Sequence, residues 1–118
     1  MIETPENLKP YVEAIGEELT LKFIMRFGGS PVYLSIDPKN DSDVVEVLGI
    51  DGMKALAKSF GRGQIGRVPI AREWTVRKLK AQGLSILAIA RELRVADETV
   101  RRILNDRDSR DRQVSFPF

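Results

Sequence analysis

Between Ser85 and Leu104 the apolar residues recur at spacings of three and four, and the recurrence is interrupted once, around Val95. Ile89 and Leu93 fall on one face of a first helix, with Ala90 as the small residue where a neighbour can cross closely, and Val100 and Ile103 fall on one face of a second. Two such stripes can cover each other only if a short turn reverses the chain. The pattern therefore predicts a two-helix unit of the kind that presents its second helix to the major groove of DNA. Ser85 is the expected N-cap of the first helix, and Gly83 ends a preceding helical run from Arg72 to Gln82. On that run Val76 and Leu79 supply a third helix's share of the core, with Trp74 packing at its edge. Arg94 stands where a glycine usually takes the left-handed turn conformation, at a cost of roughly 1 kcal/mol. Ala96 stands where Ser or Thr commonly caps, which leaves the second cap to Asp97.

Upstream, residues 12–28 and 45–61 form a weak internal repeat. They share Val-Glu at their starts, Gly16 with Gly49, and Phe27-Gly28 with Phe60-Gly61, five identities in seventeen positions. Each half reads as a short helix ending near a glycine, a second amphipathic helix ending at Phe-Gly, and a strand. The strands are expected at Val32 to Ile36 and Ile65 to Ile70, with Pro69 confining the second to an edge. Leu21, Ile24, Met25 and Phe27 on one helix, with Met53, Leu56 and Phe60 on its counterpart, exceed what one narrow stripe needs, so they are expected to meet a second copy of the chain. Between the halves, Asp37 to Asp43 is rich in turn formers, and Asp41 or Ser42 is placed to cap the next helix. The expected fold is mainly α with a small β element: residues 1–60 for dimerisation, a glycine-containing strand linker over 61–71, the helical unit over 72–105 and a flexible tail over 106–118.

At 118 residues the chain can bury one ordinary core or two small interdependent ones. No apolar run approaches the roughly 18 residues of a membrane span, and the first nine residues carry no basic and apolar leader, so a soluble, cytoplasmic protein is expected. The absence of cysteine excludes disulfides and thiolate metal sites. The small net charge of +2 conceals an asymmetry. Residues 1–60 hold six Lys and Arg against ten Asp and Glu, whereas residues 61–118 hold thirteen against seven. A basic half that carries the predicted two-helix unit is the electrostatic footprint of a DNA-binding end.

Catalysis finds little support. Histidine and cysteine are both absent, which removes most nucleophilic and metal-assisted chemistries, and no cofactor or metal is expected. Asp37, Asp41 and Asp43 lack the Gly and terminal Glu of a calcium loop, and Glu17 and Glu18 point to different helix faces. Gly61 to Gly66 matches the letters of a dinucleotide-binding G-x-G-x-x-G, but it follows a helix and precedes a strand, the reverse of what a phosphate cradle requires. A flexible, closely packed connection is the better reading.

On the second helix of the unit, Asp97, Glu98, Arg101 and Arg102 are the candidate base readers. The same residues form two acid-first i,i+4 pairs, each worth about 0.2–0.5 kcal/mol as ordinary helix support. Arg62, Arg67, Arg77, Lys78, Ser85, Arg94 and Thr99 are candidate contacts to the phosphate backbone.

The order of segments, with IGEELTLKFIMRFGGSPVYL and VLGIDGMKALAKSFG upstream of the two-helix unit, resembles the Mor/C family of phage transcription activators over about residues 8–105. Its most specific part is Phe27 to Leu34. The resemblance implies a homodimer held by the N-terminal helices and a strand, two helix-turn-helix units on an inverted repeat, and recruitment of bacterial RNA polymerase. By match of position it places Gln64, Gly66 and Arg67 on a strand near DNA. A repressor would use the same DNA-binding unit. A recombinase would need a nucleophile and an arginine cluster in the N-terminal part, where Arg26 is the only arginine among residues 1–60. A protein-only interaction module would show no salt-dependent affinity for DNA.

Overall fold

Glycines at the centre of both halves of the repeat break the helices that contain them. The chain, described by a computed structural model over residues 3–36, 42–61 and 63–105, divides into two units, Glu3–Ala71 and a second that starts at Arg72. In the first, a turn of 3-10 helix (Glu6–Leu8) leads into α1 (Lys9–Phe27), and α2 is Asp43–Phe60. Gly16 interrupts α1 at φ 84°, ψ 165°, and Gly49 interrupts α2 at φ 76°, ψ 168°. That region is essentially closed to residues with a Cβ, so each half becomes the pair of short helices expected from its glycine. Ser42 caps α2 by accepting the Val44 N–H at 3.2 Å, while Asp41, the other candidate cap, lies outside the described residues.

The two helices bury each other's apolar stripes. Phe23 and Leu56, equivalent positions of the repeat, are both fully buried, and Tyr11 meets the edge of Phe60 with ring centroids 4.9 Å apart. This packing takes four of the seven residues expected at a dimer surface into the interior of one chain. Leu21, Ile24, Met53 and Leu56 belong to the chain's own core, and Met25, Phe27 and Phe60 are half-buried.

β1 (Val32–Tyr33) pairs antiparallel with β2 (Gln64–Ile65), with Val32 opposite Ile65 and Tyr33 opposite Gln64. The offset that carries Gly16 onto Gly49 and Phe27 onto Phe60 also carries Val32 onto Ile65. A residue paired with its own counterpart puts a local two-fold relation through the ribbon, as at an isologous contact. Both strands are shorter than the sequence predicts. Past Val68 the Pro69 nitrogen has no proton to donate; outside the paired residues the segments are joined by Leu34 N–H to Gly63 O at 2.8 Å, Gly29 N–H to Val68 O at 2.7 Å and, one residue out of register, Val68 N–H to Ser30 O at 2.9 Å. Ile65 and Val68 are buried, and they belong to the first unit, which extends to Ala71.

The second unit consists of α3 (Arg72–Ala81), α4 (Ile86–Leu93) and a helix over residues 97–105, α5. Val76, Leu79, Ile89, Ala90 and Val100 close its core at the spacings read from the sequence. Trp74 is buried with them instead of sitting at the edge. The fold is thus mainly helical with one small antiparallel sheet, and no helix among the described residues is long and apolar enough to cross a membrane.

Candidate nucleic-acid interface

The turn between α4 and α5 sets the direction of α5. Ser85 opens α4 by accepting the Ala88 N–H at 3.1 Å. At the other end Arg94 takes the left-handed conformation, φ 56° and ψ 46°, and the Val95 N–H closes back on the Ala90 carbonyl at 3.0 Å. That six-to-one bond is how helices commonly end when a left-handed residue follows them. Arg94 therefore does the work of the missing glycine. The expected cap from Asp97 does not form: Asp97 is the first helical residue, and its carboxylate accepts from the Arg101 guanidinium. Placed in the first turn, the carboxylate still complements the positive end of the helix dipole.

At about 100° per residue, Glu98, Arg101, Arg102 and Asn105 share one arc of α5, opposite the fully buried Val100. All four are exposed, and Asp97 is half-buried at the rim of the arc. The sequence reading missed Asn105, although it lies four residues past Arg101, one turn further along the same face. The two candidate ion pairs separate: Asp97 holds Arg101, whereas the expected partnership of Glu98 with Arg102 is absent among the described residues. Arg102 thus presents its five N–H donors to solvent, and Arg101, half-exposed and bonded to Asp97 through one Nη, keeps its other donors for a new acceptor.

The candidate backbone contacts divide. Arg77 does not fit the role. Its side chain is only 10% exposed, with the guanidinium donating to Glu73 Oε1 and to the Ile103 carbonyl oxygen, each at 2.9 Å. It joins α3 to α5 inside the second unit, and a phosphate could reach it only by dismantling that joint. Lys78 lies over the Trp74 ring, 5.6 Å from its centroid. Ser85 and Arg94 are exposed around α4, and Thr99 is half-buried on α5. Gln64, Gly66 and Arg67 are exposed in the first unit, and Arg62 lies outside the described residues. Chemically the α5 arc offers a planar donor fork, a carboxylate acceptor and an amide within two turns of helix, the set from which guanine, cytosine and adenine edges are read.

Comparison with protein-family models, with curated proteins and with solved structures finds no match to this chain.

Proposed function

We propose that the chain is a sequence-specific, double-stranded DNA-binding transcription regulator, with α4 and α5 as its helix-turn-helix and the α5 arc as its reading surface. One observation carries this reading: Glu98, Arg101, Arg102 and Asn105 stand exposed on a helix whose opposite face is anchored by Val100, behind a turn set by Arg94. A packed helix with a polar, cation-rich outer face and a basic surrounding half is suited to a groove lined by base edges and phosphates. The resemblance to the Mor/C activators supports a phage or prophage activator that acts with bacterial RNA polymerase.

One such helix reads only a few base pairs, so the working form is a homodimer on an inverted repeat. With Leu21, Ile24, Met53 and Leu56 buried within the chain, the exposed large apolar side chains of the first unit among the described residues, Tyr33 and Ile36, each 74% exposed, with Ile50 and Ile70, are the groups proposed to join two copies. Selection of random duplexes by the purified chain tests the reading. Enrichment of one inverted repeat supports it, and recovery of unselected sequence after repeated rounds refutes it.

A further inference from the structure

Leu87 is the large apolar side chain of the second unit that α4 turns outward, 56% exposed, and it does not stand alone. With Ala90, Arg91, Arg94, Val95 and Asp97 it lines an open groove of about 470 Å³ between α4 and the start of α5. Ala90 and Val95 form an apolar floor, and Arg91 and Arg94 are exposed at the rim. The single acid of the lining, Asp97, is already engaged by Arg101. Arg91 and Arg94 have no ion-pair partner among the described residues.

An isolated surface leucine needs no explanation, but a leucine set over an apolar floor between two unneutralised arginines has a definite complement. We infer that this groove docks an acidic amphipathic segment of a partner protein, its apolar side chain resting on Leu87, Ala90 and Val95 and its carboxylates bonded to Arg91 and Arg94. Phosphate backbone is the poorer occupant. Phosphate contacts are made by polar side chains and backbone N–H groups, and nothing in a phosphodiester would cover Leu87 or the floor beneath it. Arg–carboxylate pairs form the planar two-bond fork that fixes a peptide in register. The surface meets the α5 arc only at Asp97, which Arg101 holds, and the proposed contacts to Leu87, Arg91 and Arg94 do not use the arc. It goes beyond DNA binding by giving the second unit a protein contact.

The test uses the full chain labelled for NMR and a synthetic amphipathic helical peptide that bears one leucine flanked by glutamates. Controls have that leucine replaced by serine, or the glutamates replaced by lysines. The inference expects resonance shifts confined to Leu87, Ala90, Arg91, Arg94 and Val95, with the two control peptides silent. Because Leu87 is exposed, Leu87→Ser should fold normally, weaken the peptide by about tenfold or more, and leave duplex affinity within about twofold. Arg91→Glu should lose the glutamate peptide and gain affinity for the lysine one. Shifts spread equally over Arg67, Arg101 and Arg102 would reduce the groove to general basic attraction and overturn the inference. So would conversion of a dimer to a monomer by Leu87→Ser, or loss of duplex binding in that variant, since another copy or DNA would then be the occupant. Peptide docking in a chain that binds no DNA would refute the proposed function and leave this surface standing.

Discussion

The Arg77 guanidinium donates to the backbone carbonyl of Ile103 at 2.9 Å, across twenty-six residues of sequence, while Glu73 holds it from one turn earlier on α3. A bond from a charged donor in a mostly covered place contributes about 1.5–3 kcal/mol, more than an exposed helix pair. Arg77→Ala is expected to lower the stability of the second unit by about 1–3 kcal/mol, and Arg77→Lys, which keeps the charge but not the fork, by less. Denaturant unfolding followed at Trp74 measures this. An unchanged midpoint for Arg77→Ala would return that arginine to the phosphate contacts.

Arg94 sits at φ 56°, one of two non-glycine residues with positive φ among those described. Arg94→Gly relieves roughly 1 kcal/mol of backbone cost, offset in part by the greater freedom of glycine in the unfolded chain, so a small net gain in stability is expected. Arg94→Val puts a β-branched side chain into the same conformation and should destabilise by more than 1 kcal/mol, about the scale of single-residue backbone strain. Urea midpoints of the two variants should move in opposite directions.

Gly16 and Gly49 offer a paired test of the duplicated architecture. A Cβ added at either would meet nothing within 4 Å, so any cost of alanine there comes from the backbone alone. Both Gly16→Ala and Gly49→Ala are expected to destabilise the first unit by about 1–3 kcal/mol. Thermal unfolding should show losses of similar size. A large loss at one position and none at the other would mean that the halves are not equivalent.

The helical unit was legible because its information is local. Ile89, Ala90, Val100 and Ile103 recur at helical spacing, Ser85 precedes its helix as a cap should, and the need for a left-handed residue at Arg94 follows from the turn. The glycine breaks at Gly16 and Gly49 were legible for the same reason. Contacts between distant segments were not. A stripe such as Leu21 and Ile24 declares that it will be covered but not by what, and both are buried within the chain's own first unit. Arg77 has a visible partner in Glu73 four residues before it, whereas its bond to Ile103 depends on how α3 crosses α5. The strands were read too long because β-branched residues such as Ile36 and Ile70 report a preference, and pairing partners decide.

On the proposed reading surface, Arg102→Ala and Asn105→Ala should each lose about 1–3 kcal/mol on a selected duplex and relax base preference at one position. Arg67→Ala is expected to weaken selected and scrambled duplexes alike, as a phosphate contact does. Binding isotherms on the two duplexes separate the classes. Equal losses on both for Arg102→Ala would remove it from the base readers.

The central claim, that the second unit binds duplex DNA through the α5 arc, is tested most directly by titrating duplex with the intact chain at a series of salt concentrations, beside the Arg101→Ala/Arg102→Ala variant. The account predicts that log affinity falls linearly with log salt, at a slope of about 0.9 for each phosphate neutralised, and that the variant binds more weakly with a shallower slope. Duplex affinity at low salt no higher than that of an unrelated acidic protein, or a variant indistinguishable from the parent at every salt concentration, would contradict it.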